Sequence, residues 1–375
     1  MKGKNMDSVL YTLSEHIHGQ NYVIASYYIK LPKEVDVIKK ASTLAVGQTI
    51  GTWIPIPGIT DEIREKYMGK VVNIFDIPAL DLATQIEEEE RKYIIQIAYP
   101  AVNFGNDLPL LITSLLGNDA STSAQVKLLD IEFPEEFTKK FAGPQFGIDG
   151  VREYTKVKGR PFLLNMVKPC TGLTPEEGAK IFYQTALGGV DFIKDDELLG
   201  NPSYSHPADR VKAFRKAAKA AYEESGNNVK YFVNVTSGTA EIMDNVKAVE
   251  DAGADGIMIN FAAVGYSVLK QVAEETNLPI LGHAAGSGMV YEGTLNGMSS
   301  PLAVGKLARL AGADIVMVNT PYGGYPLSYQ KYMQTIEQLI LPFYHLKASM
   351  PSIGGGVHPG MVEKYIREVG CDIVL

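Results

Sequence analysis

One run of residues concentrates the groups that could do chemistry: Gly188-Gly189-Val190-Asp191-Phe192-Ile193-Lys194-Asp195-Asp196-Glu197. Its apolar start reads as a strand, and strand side chains alternate between faces. Lys194 and Asp196 therefore point the same way, and Glu197 falls where the strand breaks into a loop. Two carboxylates beside a lysine suit a hard divalent cation such as Mg2+, which takes oxygen ligands and keeps water positions open for substrate. An amine is no ligand for Mg2+. Carbamylation of the Lys194 amine by CO2 would turn it into a third carboxylate-like group. The plainer reading of the same run is a surface stretch forming salt bridges.

The elements around this run decide what it can face. After Gly143-Pro144, short apolar strands alternate with helical stretches. Strands are expected at 162–167, 190–194, 230–235, 256–261, 279–283, 314–318, 347–350 and 372–375. Helices are expected at 175–185, 208–224, 240–252 and 267–275. Eight strands with helical connections imply a (β/α)8 TIM barrel in the α/β class, with a doubly wound sheet as the rival. In a barrel, chemistry belongs at the carboxyl ends of the strands. Those ends carry Lys168, then Lys194 to Glu197, Asn234 to Thr236, His283, Asn319-Thr320, and Ser352 followed by Gly354-Gly355-Gly356. Such a glycine run can bring backbone N–H groups against an anion, or simply make a tight turn. Residues before the barrel mix strand signals at 22–29, 92–99 and 126–133 with helices at 35–45 and 108–116. They predict a smaller α+β domain, giving a division into 1–142 and 143–375. The acidic stretch Glu87 to Glu90 reads as solvated.

Composition excludes several function classes. The chain has 375 residues, 46% hydrophobic and 21% charged, which is ordinary for a globular protein. A net charge of -8 and a pI near 5.4 provide no basic field to recruit nucleic acid. An anionic substrate would need a locally positive or metal-bearing site. Cys170 and Cys371 allow at most one disulfide. No signal-peptide core opens the chain and no window reaches the roughly 18 apolar residues of a membrane span. A cytoplasmic location with no membrane partner is the expectation.

The Lys194 run resembles the activation motif of the RuBisCO large subunit. Pro144-Gln145-Phe146-Gly147-Ile148 is similar to that family's entry into its barrel, and Lys168-Pro169-x-x-Gly172-Leu173 to its strand-one lysine motif. Gly51-Thr52-Trp53 and Gly117-Asn118 match its N-terminal-domain site motifs. The resemblance runs from about residue 20 to the end. It implies a carbamylated Lys194 holding Mg2+ with Asp196 and Glu197. It also implies catalytic roles for Lys168, for His283 and for Asn118 supplied by a partner subunit, so a homodimer is the minimal unit. Thr52 and Trp53, with Ser352 and Gly354 to Gly356, become the phosphate- or substrate-binding group. The family chain continues beyond strand eight into another glycine run and a helical tail, whereas this sequence ends at Leu375.

Departures from the family pattern bear on the reaction. The loop after strand six, Thr320-Pro321-Tyr322-Gly323-Gly324-Tyr325-Pro326, lacks the lysine that stabilises incoming CO2 in a carboxylase. Its glutamate partner is missing from Val46-Gly47-Gln48-Thr49. Ala284 and Met317 stand where two cations bind a second phosphate. The resemblance then implies a RuBisCO-like enzyme that fixes no CO2 and forms a Mg2+-bound enolate or enediolate from a substrate with one phosphate. The favoured reaction is decarboxylation of 3-oxo-isoapionate 4-phosphate, with Lys168 as the proton donor, buried and with a lowered pKa. The alternatives are the 2,3-diketo-5-methylthiopentyl-1-phosphate enolase of methionine salvage, which places a lysine base where this chain has Asn118, and a non-catalytic scaffold.

Overall fold

The computed structural model describes residues 9–52, 54, 56–82 and 89–375. The chain divides into two compact units. One comprises the residues up to Lys140 together with Gly288–Leu302, and the other Phe141–Ser287 together with Ala303–Leu375.

The first unit is built on an antiparallel sheet of β1 (Tyr22–Pro32), β2 (Lys70–Ile77), β3 (Glu90–Pro100) and β4 (Lys127–Glu132), in the order β2-β3-β1-β4. Alternation along β1 buries Val23, Ala25, Tyr27, Ile29 and Leu31 on one face. Helix Val37–Gly47 begins at Asp36, whose carboxylate accepts the N–H groups of Ile38 and Lys39. Helix Leu108–Leu116 begins at Asp107 in the same way. The buried Tyr27 hydroxyl donates to the Leu115 carbonyl at 2.9 Å, tying that helix to β1. Three strands were expected here and four are found among the described residues. The missed one, β2, is half exposed, so its period-two burial signal is weak. Of the acidic stretch, Glu89 and Glu90 are exposed and pair with Lys33 and Lys30; Glu87 and Glu88 lie outside the described residues.

The second unit carries the parallel sheet: β5 (Leu164–Met166), β6 (Phe192–Lys194), β7 (Lys230–Asn234), β8 (Gly256–Asn260), β9 (Ile280–His283), β10 (Ile315–Asn319) and β11 (Met350–Gly354), each hydrogen-bonded to the next. The last residues close the ring. Val374 bridges both Phe162 and Ser352, and the Leu164 N–H donates to the Leu375 carbonyl at 2.8 Å. This is the expected TIM-barrel topology, with the eighth strand reduced to a short closing segment. The core takes one residue from each staves' position in turn: Phe162, Phe192, Phe232, Met258, Leu281, Ile315, Met350 and Val374, plugged by Val151. Gly256 is required there, because a Cβ would lie 2.5 Å from the Phe232 ring. Strand seven was expected at 347–350 and runs instead over Met350–Gly354. Pro351 reads as a strand stop, yet a parallel strand tolerates a residue whose N–H its neighbours do not need, and Pro351 serves through its carbonyl, which accepts from Val374.

A repeated Gly-x-Asp triplet organises the amino ends of alternate strands. Asp191, Asp255 and Asp314 immediately precede β6, β8 and β10. Each accepts a backbone N–H from the preceding strand region: Leu163 at 2.9 Å, Tyr231 at 3.3 Å and Ile280 at 2.8 Å. Arg160 neutralises Asp191, while Arg215 and Lys230 neutralise Asp255. Asp314 also takes the N–H groups of Phe146 and Gly147, at 2.7 and 2.8 Å, with Lys347 as a nearby cation. Burial pushes its carboxyl up to about 6 against those three donors. A carboxyl with a raised pKa favours the folded state when protonated, so its contribution falls as pH rises from about 4 through about 6. Asp314→Ala is expected to cost about 2–4 kcal/mol, the scale of three buried donors losing their acceptor. Urea unfolding should show that loss, and the variant should lack the wild type's decline in stability across that pH window.

Candidate active site

The β6 register builds the site. Phe192 lies in the barrel core, so Lys194, two residues on, faces the same way at the strand's carboxyl end. Its side chain is fully buried, and its amine donates to the Asp195 carbonyl at 3.1 Å. Burial lowers the lysine pKa against the opposing pull of Glu197, Asp196 and Asp195. Asp195 points the other way, where Arg210 of helix Pro207–Ser225 meets it. Arg210 Nε and the Tyr231 hydroxyl donate to the Asp195 carboxylate at 3.0 and 2.6 Å, and the Asn234 N–H adds a third bond at 2.9 Å. Both members of the ion pair are buried. The guanidinium spends its remaining hydrogens on the carbonyls of Leu199, Gly200, Ser205 and Asn234.

Asp196 is buried, and its Oδ2 lies 2.5 Å from Lys168 Nζ. Burial would raise the Asp196 pKa, but Lys168 and the Leu198 N–H hold it below the usual carboxylate value. Glu197 is partly exposed, with Oε2 3.8 Å from His283 Nε2. Two amides grip the Glu197 carbonyl: Asn234 Nδ2 at 3.2 Å and Asn260 Nδ2 at 2.8 Å. Burial and the neighbouring Lys194 push the His283 pKa down to about 3, so the ring is neutral. Its Nδ1 accepts the Ala285 N–H at 3.1 Å, which leaves the proton on Nε2, toward Glu197.

Lys168, Lys194, Asp196, Glu197 and His283 thus form one connected group at the carboxyl ends of β5, β6 and β9. Lys168 departs from expectation in its surroundings. Its side chain is half exposed rather than buried, and the hydrogen bond to Asp196, with a second at 2.9 Å to Cys170 Sγ, raises its pKa rather than lowering it. Ser352 is buried on β11, registered with Met317 and bridged to Val374. Gly354 ends β11, and Gly355 and Gly356 turn with φ of +77° and +71°. Thr52 and Asn118 belong to the first unit. The Thr52 hydroxyl accepts the Ile54 N–H at 3.1 Å, and Asn118 is exposed just after helix Leu108–Leu116. Trp53 lies outside the described residues. Sequence reasoning passed over Asp195, Arg210 and Asn260. The alternation of β6 could have flagged Asp195, but nothing in the sequence pairs it with a residue fifteen positions on.

The donor set can be weighed against Mg2+. Among the described residues no three His, Cys, Asp or Glu side chains are grouped to hold a metal ion. Asp196 and Glu197 supply two carboxylates, and a third oxygen donor requires a carbamate on Lys194. The amine fits that need: it is buried beside those acids, and its lowered pKa favours the neutral form, the nucleophile that adds to CO2. The residues therefore fit the ion on that one condition.

Comparison with known proteins agrees with this architecture. Residues 147–375 match the ribulose bisphosphate carboxylase large chain catalytic domain, and residues 11–137 match its N-terminal domain. A ribulose bisphosphate carboxylase-like protein of Archaeoglobus fulgidus is 42% identical over 97% of this chain and 83% of its own length. A 2,3-diketo-5-methylthiopentyl-1-phosphate enolase of Bacillus cytotoxicus is 35% identical over 94% of this chain and 86% of its own. Among solved structures, a rubisco-like protein from Alicyclobacillus acidocaldarius superposes with a TM-score of 0.87 at 31% identity, covering 94% of this chain and 87% of that one. The octameric RuBisCO of Pyrococcus horikoshii superposes with a TM-score of 0.85 at 28% identity, covering 95% and 82%. The chain belongs to the RuBisCO large-chain family, as a RuBisCO-like protein. Among its described residues no helix is long and apolar enough to cross a membrane.

Arg210→Met should be strongly destabilising, because it leaves the Asp195 carboxylate buried without its cation. A loss of about 3–5 kcal/mol is expected in urea unfolding, the usual cost of breaking a buried pair from one side.

Proposed function

We propose that this chain is a Mg2+-dependent enzyme that forms an enolate from a singly phosphorylated keto substrate and fixes no CO2. In this reading Lys194 as its carbamate, with Asp196 and Glu197, would hold the ion. Mg2+, when bound, stabilises negative charge developing on substrate oxygens. Neutral His283 offers its Nε2–H as a donor beside Glu197. Thr52, Trp53 and Asn118 serve the barrel of a partner subunit, which makes a homodimer the smallest active unit. The division at 142/143 and a cytoplasmic location belong to the same proposal. Three sequence departures support the absence of carboxylation: no lysine in 320–326, no carboxylate at 46–49, and no cation at Ala284 or Met317. Gln48 is committed elsewhere, donating to the Ser114 carbonyl at 2.8 Å.

The favoured reaction is loss of CO2 from a β-keto sugar-acid phosphate, 3-oxo-isoapionate 4-phosphate, followed by protonation of the carbon left behind. The observation that carries it is the place of Lys168: an N–H donor at the mouth of the barrel, 2.5 Å from Asp196 and half open to an incoming ligand. Asn118, an amide, supplies no base for the alternative proton abstraction. The second reading, the diketo-phosphate enolase, is favoured by the relatives that carry that name. The retained acids and lysines argue against a scaffold.

Incubation of each phosphate with enzyme, Mg2+ and bicarbonate separates the two. The β-keto acid phosphate is expected to release CO2, and Lys168→Met to slow that release at least ~10²-fold while still binding the substrate. Labelled CO2 is not expected to enter phosphoglycerate from ribulose 1,5-bisphosphate. Turnover of the diketo phosphate alone, with no CO2 released, would overturn the decarboxylase reading.

A further inference from the structure

The loop after β10 has lost the family's lysine, but it is not unattached. The Tyr322 hydroxyl donates to Glu368 Oε1 at 2.7 Å, reaching helix Val362–Val369. The Lys364 ammonium lies 4.1 Å from the centre of the Tyr322 ring, and the Tyr365 ring packs beside it at 5.9 Å. Below the ring, the Tyr322 N–H donates to Thr320 Oγ1 at 3.1 Å, and Thr320 in turn meets the Tyr365 hydroxyl at 3.3 Å. Thr320 and Tyr365 are fully buried, so the anchor rests on core rather than on solvent-exposed groups.

What the anchor holds is a contact between two backbones. A Cβ on Gly323 would lie 3.0 Å from the Gly355 carbonyl oxygen and 3.2 Å from that of Gly354. A Cβ on Gly356 would lie 3.0 Å from both Gly323 Cα and the Tyr322 carbonyl oxygen. Only glycines let the loop and the turn approach this closely, and Gly355 and Gly356 also need the left-handed backbone that glycine adopts freely. Neither strand end fixes this contact by its own ladder, since β10 stops at Asn319 and β11 at Gly354.

We propose that Tyr322 is a positioning residue. Through Glu368 and Lys364 it pins the loop 320–326, and through Gly323 that loop sets the shape of the turn at Gly354–Gly356. Resting on the proposed function, that turn is where the phosphate of the substrate is held, so the anchor tunes affinity for a monophosphate without touching it.

The test uses Tyr322→Phe, Glu368→Gln and Gly323→Ala in the full chain, read by amide hydrogen exchange and by titration with inorganic phosphate. Tyr322→Phe should speed exchange at 320–326 and at 354–357 about tenfold, the equivalent of one lost hydrogen bond to a charged acceptor. Its melting temperature should stay near that of the wild type. Glu368→Gln keeps an acceptor for the phenol and should remain within about twofold of the wild type. Gly323→Ala should speed exchange at 354–357 with the phenol bond intact. Unchanged exchange at 354–357 in Tyr322→Phe would overturn the proposal, whatever Gly323→Ala shows. If exchange rises as expected but phosphate binds equally well, the anchor stands and the phosphate role of the turn falls.

Discussion

The buried pair of Asp195 and Arg210 is the constraint on which the site depends. Period-two alternation sends Lys194 and Asp196 into the barrel mouth and Asp195 outward. A strand of three residues has little ladder of its own to hold that register. The pair supplies it from outside, with Tyr231 and the Asn234 N–H completing the carboxylate and four carbonyls completing the guanidinium. A buried ion pair is stabilising only when its remaining hydrogen-bonding capacity is met, and here it is. The amides of Asn234 and Asn260 then grip the next stretch of chain by the Glu197 carbonyl.

Held in this way, the charges inside the mouth are set against one another. Lys194 is buried where desolvation disfavours its charge, while the acids around it favour that charge; the first effect is the larger. His283 feels the same dry surroundings and the same lysine, and stays neutral. Lys168 escapes burial and takes Asp196 as its partner, so two lysines a strand apart differ in state for a plain reason of exposure. A group that removed the basicity of the Lys194 amine and added an oxygen donor would complete the set begun by Asp196 and Glu197. Carbamylation would do both.

The fold was legible because its signals are local. Gly-x-Asp triplets mark the entries to β6, β8 and β10, and the helix expected at Leu108–Leu116 ends at Gly117. The run Lys194 to Glu197 stood out because three ionisable types fall on an apolar strand. What was not legible depends on distance in space. The half-exposed β2 has no clean alternation, Pro351 hides a strand that accepts it, and nothing in the sequence joins Asp195 to Arg210 or Tyr322 to Glu368. The exposure of Lys168 was also invisible, because a strand-end motif says where a side chain starts and not how much solvent reaches it.

The central claim is that Lys194 is a carbamate-forming lysine within this set of acids. Carbon-13 NMR of the full chain with labelled bicarbonate tests it without any substrate. A saturable carbamate resonance is predicted, strengthened by Mg2+ and absent from both Lys194→Ala and Lys194→Arg. No such resonance with or without Mg2+, or one that survives in Lys194→Ala, would contradict the account.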